Sequence, residues 1–288
     1  MKLAYHLYRL AGIVVPYVPP RLGYAGCRLL AGLLYRLNGA GRANIERNLR
    51  RILGPDANEA MVARQSQATF ETLAYNYFDL FRLPHLTDES VRQRVTLHGW
   101  EHVEAALAQG QGAVMISTHL GNIELILCRM RLQGVPITIP VERLEPPELF
   151  DYISALRMSK GLKLVPIDGP LLALRRTLKE GGIVGLAGDR DITQTGQVVS
   201  FFGHMAHLPD GHVRLALKTG VPLLAGFGQR HPDQTYSAYF LPPFYLPTEG
   251  SESERVQAGL NFIVGEMEKA IRQNPAQWTV TVSIWADD

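Results

Sequence analysis

Cysteine is nearly absent: Cys27 and Cys128 are the only two in 288 residues. They cannot build a disulfide framework or a thiolate zinc site, and a reducing compartment is the natural setting. Long apolar runs are missing too. A membrane-spanning helix needs about 20 consecutive apolar residues. The longest uncharged stretch near the N-terminus covers 10–20, is broken by Pro16, Pro19 and Pro20, and is flanked by Arg9 and Arg21. Tyr24-Ala25-Gly26-Cys27 is a poor likeness of a lipoprotein cleavage box, because Arg21 sits in its approach. No serine stands in G-x-S-x-G, which disfavours a strand-elbow hydrolase. Gly110-Gln111-Gly112 lacks the third glycine of a dinucleotide fingerprint. Low-complexity tracts are absent, and 46% apolar against 19% charged residues excludes a disordered or collagenous chain.

What charge there is falls unevenly. Residues 1–54 hold nine Lys/Arg and one acid, Glu46, for +8; the chain totals +2, so 55–288 carry −6. A basic, apolar end on an acidic body points to an anionic surface, either nucleic acid or the negatively charged membrane leaflet. Within 22–37 the apolar residues Leu22, Cys27, Leu30, Leu33, Leu34 and Leu37 recur at near-helical spacing. Arg21, Arg28 and Arg36 are placed to snorkel toward phosphate. An amphipathic helix packed on its own protein explains the same pattern. Anionic membrane lipids are the expected partner and nucleic acid is not.

The hydrophobic periodicity divides the chain into a helical segment, 1–54, and an α/β body, 55–288, with no repeat or linker inside the body. Helices are expected at 22–37, 41–53, 58–81, 100–108, 122–133, 146–160, 170–179, 211–219 and 251–273. Strands are expected at 95–97, 112–117, 136–140, 163–167, 183–187, 198–202, 222–227 and 235–240. Their alternation predicts a mixed, largely parallel sheet flanked by helices.

The string Ile116-Ser117-Thr118-His119-Leu120-Gly121-Asn122-Ile123-Glu124 is the most informative. A strand ends at Ser117, and Asn122 is placed as a helix cap with Glu124 in the first turn. His119 therefore lies in a loop at the carboxyl end of a strand, where open α/β sheets place ligands. On one continuous helix, residues five apart point about 140° away from each other and cannot share a ligand; across a loop they can meet. A carboxylate on one imidazole nitrogen fixes the tautomer and leaves the other free to take a proton. Gly121 admits a close backbone approach, and first-turn amides suit a developing oxyanion. A capped helix with a hydrogen-bonded loop histidine fits the same string. His204, His207 and His212 with Asp210 invite a metal, but loop histidines commonly bond backbone or water, and no metal is expected. Asp189-Arg190-Asp191 follows an apolar strand, either as functional acids or as a solvated turn.

His119-Leu120-Gly121-Asn122-Ile123-Glu124 resembles the H-x4-D/E motif of glycerolipid acyltransferases. The particular branch it resembles holds the bacterial lipid A lauroyl/myristoyl acyltransferases and the phosphatidylinositol mannoside acyltransferases. Arg42-Ala43-Asn44…Asn48-Leu49, Gly99-Trp100-Glu101, Arg157-Met158-Ser159-Lys160-Gly161, Phe201-Phe202-Gly203, Gly211…Leu215-Ala216 and Asn274-Pro275-Ala276-Gln277-Trp278 follow in that family's order.

The resemblance implies a peripheral acyltransferase at the cytoplasmic face of a bacterial inner membrane. His119 would be the general base and Glu124 its orienting carboxylate. A glycolipid hydroxyl would attack an acyl thioester of coenzyme A or acyl carrier protein, with no bound cofactor. Gly121, Asn122, Glu142, Arg143, Arg157, Asp189 and Arg190 would contact substrate. Related enzymes carry Glu where this chain has Asp189. Two other functions use the same features: hydrolysis of a thioester or lipid ester, and non-catalytic binding to anionic membranes.

Overall fold

The computed structural model describes residues 2–169 and 171–287. Helices α1 (Lys2–Val14), α2 (Pro20–Leu37), α3 (Gly39–Leu53) and α4 (Glu59–Arg82) come first, followed by the short α5 (Asp88–Arg94). The body then alternates: β1 (Val95–His98), α6 (Trp100–Leu107), β2 (Ala113–Ser117), α7 (Ile123–Arg131), β3 (Ile137–Val141), α8 (Pro147–Met158), β4 (Lys163–Pro166), α9 (Leu172–Lys179) and β5 (Ile183–Ala187). The hairpin β6 (Gln197–Phe201) and β7 (His204–Leu208) precedes α10 (Gly211–Thr219), β8 (Leu223–Arg230), β9 (Tyr236–Phe240) and α11 (Glu252–Gln273). The helix expected over 170–179 begins at Leu172; residue 170 lies outside the described residues.

Seven strands form one sheet in the order β1-β9-β8-β2-β5-β3-β4. All pairs are parallel except β8–β9. This is the mixed, largely parallel α/β sheet that the alternation predicts, and burial on both faces explains its continuous apolar strands. One core joins the sheet to α9, α10 and α11 through Leu174, Val213, Leu260 and Ile263. The other joins its opposite face to α5, α6, α7 and α8 through Val91, Val103, Leu125 and Ile153.

Two expectations are corrected. Residues 197–208 form a separate antiparallel hairpin, not a strand of the main sheet followed by a loop. His204 and His207 therefore sit exposed on β7 while His212 is buried in α10. The three rings cannot converge on an ion, and no metal-binding cluster exists among the described residues.

The second correction concerns α2. Its buried face is Gly23, Tyr24, Cys27 and Ala31, packed on α4, so Cys27 faces away from the leucines. Leu22, Leu29, Leu30, Leu33, Leu34 and Leu37 are exposed, as are Leu7, Leu10 and Ile13 of α1. Small and aromatic residues let α2 lie close to α4, and its leucines point outward. Among the described residues no helix is long and apolar enough to cross a membrane.

The segment 1–54 is packed into the body. Asn48 of α3 donates to the carbonyls of Val280 and Val282 and accepts from Trp285 Nε1 at 2.7 Å. Asp79 of α4, 1% exposed, ties the remaining pieces together. It accepts from Tyr24 of α2 at 2.7 Å, Tyr236 of β9 at 2.6 Å, Asn122 at 3.1 Å and Arg94 at 3.0 Å. Removing one partner of a buried ion pair leaves the other charge uncompensated, at a cost of about 3–5 kcal/mol. Asp79→Ala is expected to lower stability to denaturant by that amount, measured as a fall in the transition midpoint without loss of its cooperativity.

Candidate active site

β2 ends at Ser117 and delivers His119 to the carboxyl rim of the sheet. β5 lies beside it in parallel register, Ser117 opposite Ala187. Two residues beyond each strand, His119 and Asp189 meet. His119 Nδ1 lies 2.8 Å from Asp189 Oδ1, and the His119 backbone N–H donates to Oδ2 at 2.7 Å. Trp278 Nε1 donates to the same Oδ2 at 2.7 Å. Asp189 is 0% exposed, and the His119 side chain is 37% exposed to the cavity in front of it. An ionised carboxylate only accepts, so Nδ1 carries the proton and Nε2 is the free nitrogen.

The loop is fixed at each following residue. The His119 carbonyl accepts from the Thr279 amide at 2.8 Å and hydroxyl at 3.0 Å. The Gly121 amide donates to the Gln277 carbonyl, and Asn76 of α4 donates to the Gly121 carbonyl at 2.8 Å. Gly121 has φ +67°, and a Cβ there would come within 3.1 Å of the Gly228 backbone. Only glycine fits such a left-handed, close-packed position. Asn122 caps α7 through the Leu125 amide and donates to Asp79.

The structure thus corrects the expected pairing. The acid on the His119 ring is Asp189, and Glu124 instead pairs with Arg157 at 2.5 Å. As the first turn of α7 turns away from the loop, Glu124 is carried toward α8, whose last turn holds Arg157. Glu142 and Arg190 form a two-pronged pair at 2.8 and 3.3 Å. Both pairs line a cavity of about 820 Å³ together with His119, Gly121 and Asn122. Arg143 does not line it; its guanidinium turns outward to Asp168 at 3.1 Å. Asp189 lies behind His119 and does not itself line the cavity.

Sequence reasoning missed Trp278, Thr279, Asn76 and Asp79 as parts of this site. The segment Asn274–Trp278 stood out only as a motif without a place.

An apolar arm leads away from His119 between the sheet and α7. Leu223, Ala225 and Phe227 of β8 point into the α10–α11 core and Leu224 into the other, so Gly226 and Gly228 stand on the α7 face. A Cβ at Gly228 would strike Ile126 at 2.3 Å, and one at Gly185 would strike Ile139 at 2.8 Å. Met115, Ile126, Ile139, Ala238 and Phe240 line this arm.

These features meet a clear family signal. The profile of the bacterial lipid A biosynthesis acyltransferases matches residues 2–285. The chain belongs to that family. Among its relatives is a phosphatidylinositol mannoside acyltransferase of Mycobacterium tuberculosis, 29% identical over 268 residues, covering 89% of this chain and 81% of that protein. Another, of the same description, from Mycolicibacterium smegmatis is 28% identical over 200 residues, 67% of this chain and 64% of that one. A crystal structure of a 1-acyl-sn-glycerophosphate acyltransferase from Thermotoga maritima superposes with a TM-score of 0.39 at 15% identity, covering 86% of this chain and 96% of that one. The protein is thus an acyltransferase of the bacterial lipid A biosynthesis family.

The electrostatics of this acyltransferase follow from the pair. Burial opposes a charged imidazole, but the Asp189 charge and hydrogen bond outweigh it and hold His119 above its ordinary 6.5. Burial likewise opposes an ionised Asp189, but His119 and the three hydrogen bonds hold it below 3.8. The raised imidazole contributes stability that is complete below 6.5 and fades as pH rises through its folded value. The lowered carboxyl contributes stability that is complete above 3.8 and fades as pH falls through its folded value. The pair is therefore at full strength between those two ordinary values. NMR titration of the His119 ring should show a midpoint above 6.5, and Asp189→Asn should bring it down.

Proposed function

We propose that the enzyme moves a fatty acyl chain from a thioester of coenzyme A or acyl carrier protein to a hydroxyl of a membrane glycolipid. His119 acts as general base, oriented by Asp189. The observation that carries this reading is the buried Asp189 on His119 Nδ1, which leaves Nε2 toward a cavity with an apolar arm. Further support comes from the relatives described as phosphatidylinositol mannoside acyltransferases.

His119 Nε2 takes the proton of the acceptor hydroxyl as its oxygen bonds to the thioester carbonyl carbon. The nearby Asp189 charge stabilises the imidazolium that forms. The amides opening α7 are the donors for the carbonyl oxygen as it becomes negative. The Gly121 amide is not among them, being committed to Gln277, nor is the Leu125 amide, which the Asn122 side chain caps. When the C–S bond breaks, the imidazolium returns the proton to the departing sulfur. An ester and a free thiol leave. The apolar arm holds the acyl chain; Arg157 and Arg190, steadied by Glu124 and Glu142, face the polar parts of the substrates. Reaction at neutral pH requires the imidazole to lose its proton, so the acid limb of kcat/KM should follow the raised His119 value.

His119→Ala is expected to lower kcat by roughly 10²–10⁴-fold with the fold intact. The assay is mass spectrometry of lipid products from membrane extract and an acyl thioester. Full activity in the variant removes His119 as the base; free fatty acid as the sole product, whatever the acceptor, assigns hydrolysis instead.

We further propose that the exposed leucines of α1 and α2 rest in the cytoplasmic leaflet of the inner membrane, with Arg21, Arg28 and Arg36 toward lipid phosphates. An amphipathic helix binds by buried apolar area together with attraction to anionic lipid. Leu29→Asp with Leu33→Asp is expected to release the enzyme from anionic vesicles in a flotation assay. Unchanged flotation would place the membrane contact elsewhere.

A further inference from the structure

The cavity has a second arm, on the sheet face opposite the apolar one, that the proposed chemistry leaves unused. Helices α9 and α10 lead into β5 and β8 and pack on the same side of the sheet, sharing one core through Leu174, Leu178, Val213 and Leu215. Each runs back along the sheet before its strand begins, so both N-termini point to the rim where His119 stands. The wall between them carries Arg175 from α9 and His212, Arg214 and Lys218 from α10.

The charges in this wall are unequally committed. Arg214 pairs with Asp210 at 2.8 Å and Glu252 at 3.1 Å, and Asp210 also accepts from Gln197. Asp191 is folded back onto the Gly196 amide and Thr193. Arg175 and Lys218 line the cavity, and neither has an acid within ion-pair distance among the described residues. His212 is 1% exposed, and neither of its ring nitrogens has a hydrogen-bond partner in the described structure. Burial pushes its pKa down to about 4, so the ring is neutral at physiological pH and offers one N–H. Beside it, the N-terminus of α10 presents first-turn amides that have no partner within the helix. At Gly211 an added Cβ would meet nothing within 4 Å, so this turn is open to a ligand.

An orphaned buried imidazole, a helix N-terminus and two unpaired cations call for an anion with several acceptor oxygens. We propose that this arm is the subsite for a phosphate ester carried by one of the two acyl-transfer substrates, bound by the α10 N-terminus and His212, with Arg175 and, from the last turn of α10, Lys218 adding positive charge along the wall. The proposal rests on the acyltransferase reading for the source of that phosphate. Both candidate donors carry a phosphopantetheine phosphate, and a phosphoinositide acceptor carries its own.

The test is direct binding to the full chain. Calorimetry compares coenzyme A with pantetheine, which lacks phosphate. Flotation compares vesicles containing phosphatidylinositol with vesicles given equal charge by oleate, whose carboxylate brings no phosphate. Arg175 and Lys218 are exposed, so Arg175→Ala with Lys218→Ala leaves the core untouched. One phosphate-bearing probe should lose about tenfold or more in affinity in this variant, with pantetheine unchanged. Loss on coenzyme A assigns the phosphate to the donor; loss on phosphatidylinositol and not on oleate vesicles assigns it to the acceptor. Equal binding by variant and wild type for every probe overturns the subsite, as does an equal loss on both vesicle types. His212→Phe is expected to weaken the same probe; should it fail to fold, the exposed pair decides. Phosphate-dependent binding by a wild type that transfers no acyl group would refute the proposed reaction and leave the subsite standing.

Discussion

A carboxylate with no access to water is tolerable only when every lone pair that matters is met, and Asp189 imposes that condition on the whole rim. Its oxygens are met by the His119 ring, the His119 amide and the Trp278 indole. Losing any one of them leaves buried charge under-solvated. The orientation of the imidazole is therefore a consequence of folding and is present before substrate arrives. Trp278 belongs to the segment that also holds Gly121 through the Gln277 carbonyl and the His119 carbonyl through Thr279. Gln277 completes the clamp by exchanging side-chain hydrogen bonds with both backbone groups of Arg230, at 2.8 Å each. The last part of the chain thus buttresses the strand ends from behind, leaving the front of the ring clear.

The same device recurs one layer away. Asp79 is as deeply buried as Asp189 and gathers Tyr24, Tyr236, Arg94 and Asn122. Asn122 is the link between the two clusters, because its other side-chain atom caps α7. One turn earlier on α4, Asn76 holds the Gly121 carbonyl. A single helix therefore fixes the loop at two adjacent residues, and through Asp79 it holds α2 as well. Small residues on α2, Gly23 and Ala31 among them, allow that close packing. The apolar surface of α2 and the histidine loop are consequently parts of one rigid assembly.

Much of this was legible in the sequence, and the gaps have physical causes. Strands that carry continuous apolar runs, such as 113–117 and 183–187, announce themselves because both sheet faces are buried. His119 was legible as a loop residue because a strand ends at Ser117 and Asn122 caps a helix. Its partner was not. Spacing along the chain offers Glu124, five residues on, whereas Asp189 is 70 residues away. The two come together because β2 and β5 are neighbours in register, and that follows only from strand order. The leucines of α2 illustrate the converse. Helical periodicity separates two faces, but it does not say that the tyrosine and glycine face turns inward. The β6–β7 hairpin escaped because His204 and His207 interrupt an apolar pattern on its exposed side.

The three regions that the cavity joins have different solvent demands, and their arrangement resolves them. Tyr8 of α1 and Tyr77 of α4 line one end, close to the exposed leucines of α1. Glycines at 185, 226 and 228 let Ile139, Phe240 and Ile126 pack close against the sheet along the apolar arm. The cationic wall of α9 and α10 lies across the sheet. A fatty chain loses about 0.8 kcal/mol per CH₂ when it moves from lipid into water. On the proposed reading, a route into the apolar arm beside α1 would avoid most of that cost. Because His119 lines the space that these regions share, the proposed reaction would draw on both faces of the sheet, with the Arg157–Glu124 pair beside the apolar arm and the α9–α10 cations across from it.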